Sequence, residues 1–267
     1  MKTIIITRAS GSIGAVATRT MAAEGWHVVM ACRNEQKAEA IRQSILADLP
    51  TASIEIRRLE MSSLADVRRF VAEWGDRPVD ALFNNAGVIA RDYSLSPDGY
   101  ERTMAVNYLA PILLTRLLVP LMPAGGNIVN MVSLTVRFGR IALDWPSWGA
   151  ERFSQLGTYS TSKQALLLHT VALAQKYPHL HVNVSDPGVV DSNMISMGRW
   201  FDPLADLFFR PFISTPEKGA RSALLALRAT DSLGYYVGSK RRNIAKRYLQ
   251  SPLIEKLWAQ SEELMNL

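Results

Sequence analysis

The sequence lacks the features that would place it in several functional classes. Its 267 residues hold a single cysteine, Cys32, so no intramolecular disulfide can form. That fits a reducing compartment. A signal or membrane segment is not expected. The N-terminal apolar run stops at Thr7-Arg8, and the stretch 109–122 is interrupted by Pro111, Arg116 and Pro120. A membrane span needs about 20 consecutive apolar residues, so 109–122 reads as a buried helix, and a soluble cytoplasmic protein is the expectation. Acidic residues are also scarce, 24 against 30 basic ones, for a formal charge of +6. This balance favours anionic partners such as phosphorylated cofactors, nucleic acid or lipid head groups. No zinc-finger spacing and no basic helix followed by heptads supports nucleic-acid recognition, and no metal site is expected. The densest basic cluster, Lys240, Arg241, Arg242, Lys246 and Arg247, reads as a solvated loop.

What the chain has is a regular beat. Apolar runs at 3–7, 28–32, 53–59, 79–83, 127–133 and 181–186 alternate with longer helical patterns. Several runs are nearly continuous in Ile, Val, Leu or Phe, as strands buried on both faces are. Between the first two, Ile13, Ala17 and Met21 share one helical face, and Gly25 stands where a helix commonly ends. Such repetition predicts an α/β fold with a parallel sheet covered on both sides. No linker or short repeat divides residues 1–267, so a single domain is expected.

In an open parallel sheet, ligands bind beyond the carboxyl ends of the strands. The loop after the first strand reads Thr7-Arg8-Ala9-Ser10-Gly11-Ser12-Ile13-Gly14. Small residues running into a helix can bring backbone amides to a pyrophosphate, though many tight turns need small residues and bind nothing. Arg33 ends the second strand, where an acidic residue would bind a ribose 2′-hydroxyl and an arginine suits a 2′-phosphate. It favours NADP(H) over NAD(H); a plain surface arginine is the alternative. Tyr159 and Lys163 lie four apart and would share a helix face. A neighbouring ammonium favours the phenolate, lowers the tyrosine pKa and suits it to acid–base work. Ser133 closes the fifth run on the same sheet edge, where its hydroxyl would polarise a carbonyl oxygen. An exposed helix face explains the Tyr-Lys pair equally simply, so the case rests on its position after a serine-ended strand.

The strings ACRN from Ala31, NNAG from Asn84, DGYERTMAVNYLAP from Asp98, GNIVNMVS from Gly126, YSTSK from Tyr159 and DPGVV from Asp186 follow in order. On these the chain resembles a short-chain dehydrogenase/reductase over essentially its whole length. Within that family it is most similar to the retinol-dehydrogenase-like branch, which the long separation of Ser133 from Tyr159 also matches. The resemblance implies a Rossmann-like doubly wound sheet and a catalytic triad of Ser133, Tyr159 and Lys163. Asn107 would support a proton relay, kink its helix, or both. Thr7, Ser10, Gly11, Ser12, Ile13 and Gly14 would form the cofactor loop. Asn85, Ala86 and Gly87 would line the adenosine and ribose region, with Glu60 and Met61 against adenine. Pro187, Gly188 and Val190 match the turn beside the nicotinamide, and Ser192 stands where a threonine often binds the carboxamide or phosphates.

One departure is marked. The family's loop is usually TGxxxGIG, and here Arg8 and Ser12 replace its first two glycines. A left-handed backbone at Arg8 would be strained, and Ser12 puts a side chain where a pyrophosphate needs close backbone approach. The expected function is interconversion of a carbonyl and an alcohol with NADP(H), Tyr159 being the acid–base group. The rival is a catalytically retired nucleotide-binding or scaffolding relative. Hydrolysis through a serine lacks a histidine in an evident triad position. Residues 191–215 carry Trp200, Phe201, Phe208, Phe209 and Phe212 and are expected as a substrate lid for a bulky apolar substrate. Packing on the lid's own domain is an equal alternative, and Arg199 and Arg210 beside the aromatics leave a membrane contact open. Leu166, Leu167 and Leu168 are candidates for a homodimer or homotetramer interface, or for core packing.

Overall fold

A computed structural model describes residues 1–188 and 215–267. Val190, Ser192 and, apart from Thr215, the expected lid lie outside the described residues. The six apolar runs form β1 (Thr3–Thr7), β2 (His27–Cys32), β3 (Ser53–Arg58), β4 (Ala81–Asn84), β5 (Asn127–Met131) and β6 (His181–Asp186). Their apolar character follows from cover on both faces: Ile4, Ile5 and Ile6 of β1 are all fully buried. Two further strands, β7 (Gly234–Val237) and β8 (Lys240–Asn243), complete the order β3-β2-β1-β4-β5-β6-β7-β8 among the described residues. Every pair is parallel except β7–β8. The predicted doubly wound parallel sheet in one domain is therefore the fold observed.

The basic cluster differs from expectation. Lys240, Arg241 and Arg242 form the antiparallel edge strand β8 rather than a loop. All four β8 residues are exposed, and a charged edge of this kind resists pairing with other chains. With both faces polar, no period-two alternation marks the strand in the sequence.

The helices are α1 (Ser12–Ala23), α2 (Glu35–Asp48), α3 (Leu64–Trp74), α4 (Arg102–Met104), α5 (Ala110–Leu118), α6 (Gln155–Lys176), α7 (Pro216–Leu227), α8 (Lys246–Leu249) and α9 (Leu253–Met265). One core joins α1, α2 and α7 to the sheet through residues such as Met21, Ile45 and Ala223. The other joins α3, α5, α6 and α9 through Phe70, Leu113, Leu167 and Leu257. The stretch Arg102–Leu121 is apolar and long enough to cross a membrane, but 78% of its most apolar window is buried inside the fold. The expected buried helix is thus a core element. A π-helical turn, Ala105–Leu109, interrupts it and carries Asn107.

Leu166, Leu167 and Leu168 are at most 2% exposed. Helix α9 lies over this part of α6, with Trp258 stacked on His169 at 4.7 Å between ring centroids. Their side chains belong to the chain's own core and offer no surface for a second copy.

The sheet order reverses at β1, which pairs with β2 on one side and β4 on the other. Beyond their pairing the two carboxyl ends diverge, and the hydroxyl of fully buried Thr7 bridges them. It accepts hydrogen bonds from the backbone N–H groups of Asn85 and Ala86, each at 2.9 Å. Replacing Thr7 by Val keeps the shape and orphans the Ala86 amide, while the Asn85 N–H keeps its second acceptor, Phe83 O at 2.9 Å. The expected cost is about 1–3 kcal/mol, read as a lowered urea midpoint with an unchanged slope.

Candidate active site

The loop leaving β1 is short and pinned from several sides. The Arg8 N–H donates to Ala31 O at 2.8 Å, and Arg8 O accepts from Gly11 N at 2.9 Å. The Asn85 side-chain amide donates to Thr7 O and Arg8 O. This closure gives Arg8 a left-handed backbone, φ +51°, which costs an L-residue roughly 1–2 kcal/mol. The strain anticipated for an arginine at this turn is present. Gly14 is needed for the same closure, because a Cβ there would stand 2.5 Å from Arg8 O and 2.7 Å from Ala9 Cα. Its role is close packing of α1 on the loop.

A cleft of about 560 Å³ opens at the strand ends. Of the predicted cofactor residues, Ser10, Gly11, Arg33, Glu60, Met61, Ala86 and Gly87 line it. Thr7 and Asn85 lie behind it and shape its floor. Ser12 is exposed at the start of α1. Ile13 packs against the helix–sheet core and Gly14 is buried. Arg8 and Lys37 also line the cleft. The sequence reading treated Arg8 only as a defect and passed over Lys37, although Lys37 follows Arg33 by one helical turn. The Glu60 carboxylate meets Arg33 at 3.5 Å and accepts from the Ser62 N–H and hydroxyl.

The expected catalytic residues gather at the other end. Tyr159 and Lys163 are buried on α6, with the ammonium 5.9 Å from the centre of the phenol ring. The Lys163 ammonium donates to Met131 O at 2.8 Å. The Ser133 hydroxyl, just past β5, lies near the Tyr159 phenol and lowers its pKa, and it accepts from Thr135 N. The Asn107 side chain accepts from Val88 N at 2.8 Å and donates to Val88 O and Ser162 Oγ. It ties the loop after β4 to α6, a structural role other than the helix kink expected of it. Gly87 joins the cleft to this cluster. A Cβ there would lie 3.3 Å from Lys163 Nζ and 3.5 Å from Asn107 Oδ1.

The electrostatics differ from the simple Tyr-Lys picture. Burial pushes the Tyr159 phenol up to about 12, opposed by the Ser133 hydroxyl and the Arg8 charge. Lys163 is pulled down to about 7 by burial and by Arg8, with Asp186 acting the other way. Arg8 is thus a cation that lowers the phenol pKa from across the cleft wall, in addition to the Lys163 group beside the ring. Asp186, missed by the sequence reading, ends β6 fully buried. Its carboxylate accepts from the Gly188 N–H at 2.9 Å and the Tyr235 hydroxyl at 2.8 Å, and burial raises its pKa. Its position at a strand end before Pro187-Gly188 was the available signal. Gly188 takes φ +72°, and Pro187 precedes it in the half-exposed turn.

Comparison with known proteins agrees with this arrangement. The family model described as short chain dehydrogenase matches residues 2–199. The chain is a short-chain dehydrogenase/reductase. It is 32% identical to retinol dehydrogenase 12 of Mus musculus over all of this chain and 87% of the relative. It is also 32% identical to polyprenol dehydrogenase of Danio rerio, with the same coverage. An uncharacterised protein from Mycobacterium paratuberculosis has a crystal structure that superposes with a TM-score of 0.81 at 29% identity, covering all of this chain and 94% of that one. Within its family the chain falls in the retinol-dehydrogenase-like branch.

Short-chain dehydrogenases use a nicotinamide dinucleotide, and the residues present fit one. Met61, Ala86 and Val106 form an apolar wall, Arg8, Arg33 and Lys37 supply cations, and Gly87 leaves a cradle that a side chain would fill. The Lys163 shift sets a pH test. Its folded value of about 7 lies below the ordinary 10.5. The unfolded chain binds this proton more tightly between those values, so stability rises with pH across the window and the penalty is complete below it. Relative to Lys163→Met, the unliganded wild type should therefore gain stability in urea from about pH 7 to about pH 10. A flat difference would contradict a desolvated ammonium.

Proposed function

We propose that this short-chain dehydrogenase interconverts a carbonyl and an alcohol with NADP(H), using Tyr159 as its acid–base group. The observation that carries this reading is the grouping of Ser133, Tyr159 and Lys163, with the Lys163 ammonium bordering Gly87 of the cleft wall. The bound nicotinamide would supply or accept the hydride. Tyr159 gives its phenolic proton to the substrate oxygen in reduction and takes it back in oxidation. The Ser133 hydroxyl, beside the phenol, orients that oxygen and stabilises its developing charge. Lys163, held by Met131 O at 2.8 Å, keeps a positive group at the cofactor end of the site. Asn107 maintains the loop that brings Gly87 to them.

The preference for NADP(H) over NAD(H) rests on Arg33 and Lys37 in the cleft wall and on the engagement of Glu60 with Arg33 and Ser62. Similarity to proteins named retinol dehydrogenase and polyprenol dehydrogenase supports a bulky apolar alcohol or its carbonyl partner as substrate. The aromatic residues at 200–212 are consistent with that choice. The strained Arg8 backbone favours the rival reading of nucleotide binding without turnover.

Two variants separate these readings. Tyr159→Phe should abolish turnover in a panel of apolar aldehydes, ketones and alcohols while leaving NADPH binding within about twofold, since the ring's packing is kept. Near-normal turnover in that variant would remove Tyr159 from the mechanism, and NADPH binding by the wild type without turnover on the panel would favour the rival. Arg33→Asp should weaken NADPH on the order of tenfold or more and strengthen NADH, the loss of a charge-assisted phosphate contact. Equal effects on the two cofactors would count against 2′-phosphate recognition.

A further inference from the structure

Arg8 stands where the family resemblance places a glycine, and its backbone is left-handed there, φ +51°. Its N–H and C=O are both engaged, to Ala31 O and from Gly11 N. Its side chain follows the cleft wall, where Nη1 donates to Gly87 O at 3.1 Å. The residue keeps solvent access although protein surrounds much of its guanidinium, as befits a side chain in the wall of a concave surface.

The location is specific. Gly87 borders Lys163 Nζ on its far side, so the guanidinium lies one residue's width from the catalytic cluster. Its charge is felt by Tyr159 and Lys163 at that end and by Arg33 at the other. Arg8 therefore lies between the end proposed to hold the adenosine ribose and the end proposed to transfer hydride. In a dinucleotide, the group joining those two ends is the diphosphate.

We propose that Arg8 is a diphosphate-binding residue, its guanidinium replacing the close backbone approach that a glycine loop would provide. A planar guanidinium matches phosphate oxygens in a two-point geometry. A low-dielectric wall strengthens that pairing relative to water. From the left-handed backbone at φ +51°, the side chain runs along the wall to Gly87 O. The altered loop is then an exchange of one mode of anion binding for another. This inference rests on the reading of the cleft as a dinucleotide site.

The test is equilibrium binding to the purified full chain, with NADPH and adenosine 2′-monophosphate as probes. The second probe carries the 2′-phosphate but no diphosphate. Arg8→Gly restores the family's residue at that position. It should raise the NADPH Kd on the order of 10- to 100-fold, the size of a lost charge-assisted contact, and leave adenosine 2′-monophosphate binding unchanged. Arg8→Lys should recover part of the NADPH affinity. NADPH binding by Arg8→Gly that equals or exceeds the wild type would overturn the proposal and mark Arg8 as an obstruction. Parallel loss of both probes would also overturn it, because Arg8 would then act by holding the loop. Failure of the wild type to bind either probe would reject the cofactor reading itself, and with it this assignment.

Discussion

The Thr7 hydroxyl closes the gap that the sheet's topology opens. A doubly wound sheet must part its strands where the order reverses, and here β1 and β4 separate just past their paired residues. The Ala86 amide would have no acceptor there, and the Asn85 amide would have only Phe83 O. Thr7 accepts both, and the Asn85 amide returns two bonds to the β1 loop. The result is a rigid floor from which Gly87 projects toward Lys163 and Asn107. Gly87 is where the cleft adjoins the candidate catalytic cluster.

Over that floor, burial has acted on neighbouring ionisable groups in opposite directions. The Tyr159 phenol and the Asp186 carboxyl are raised, and the Lys163 ammonium is lowered, each toward its neutral form. That is the expected response of charge to a poorly solvated site. It leaves the more solvent-accessible Arg8 as the cation whose field reaches both Tyr159 and Lys163. A substitution that looks like damage to a nucleotide loop is thereby tied electrostatically to Tyr159, the proposed acid–base group. The strained backbone at Arg8 is consistent with functional sites being places where local preference is overruled by surrounding structure.

Much of the fold was legible because its signals are local and repeated. The six apolar runs match strands to within a few residues, since burial on both faces leaves a continuous apolar trace. The edge strand β8 was hidden because all its residues face water. Helix α6 was readable as the carrier of Tyr159 and Lys163, but not as a helix covered on its outer side. The residues that cover it, such as Trp258, lie far along the chain. The identities of Ser133, Tyr159, Lys163 and Asn107 were equally readable from the ordered motifs. Asp186 and Lys37 were passed over although their positions carried a signal.

By itself the sequence determined the sheet's parallel class, the order of its motifs and the chemical types gathered at the strand ends. These follow from periodicity and spacing, which need no coordinates. Only the tertiary structure decided how those groups act on one another. Proximity across 79 residues sets the Arg8–Gly87 contact, and the depth of burial sets the direction in which Tyr159 and Lys163 shift. Desolvation and Coulomb fields depend on distances through space and on what surrounds a charge, and neither is written in the spacing of residues along a chain.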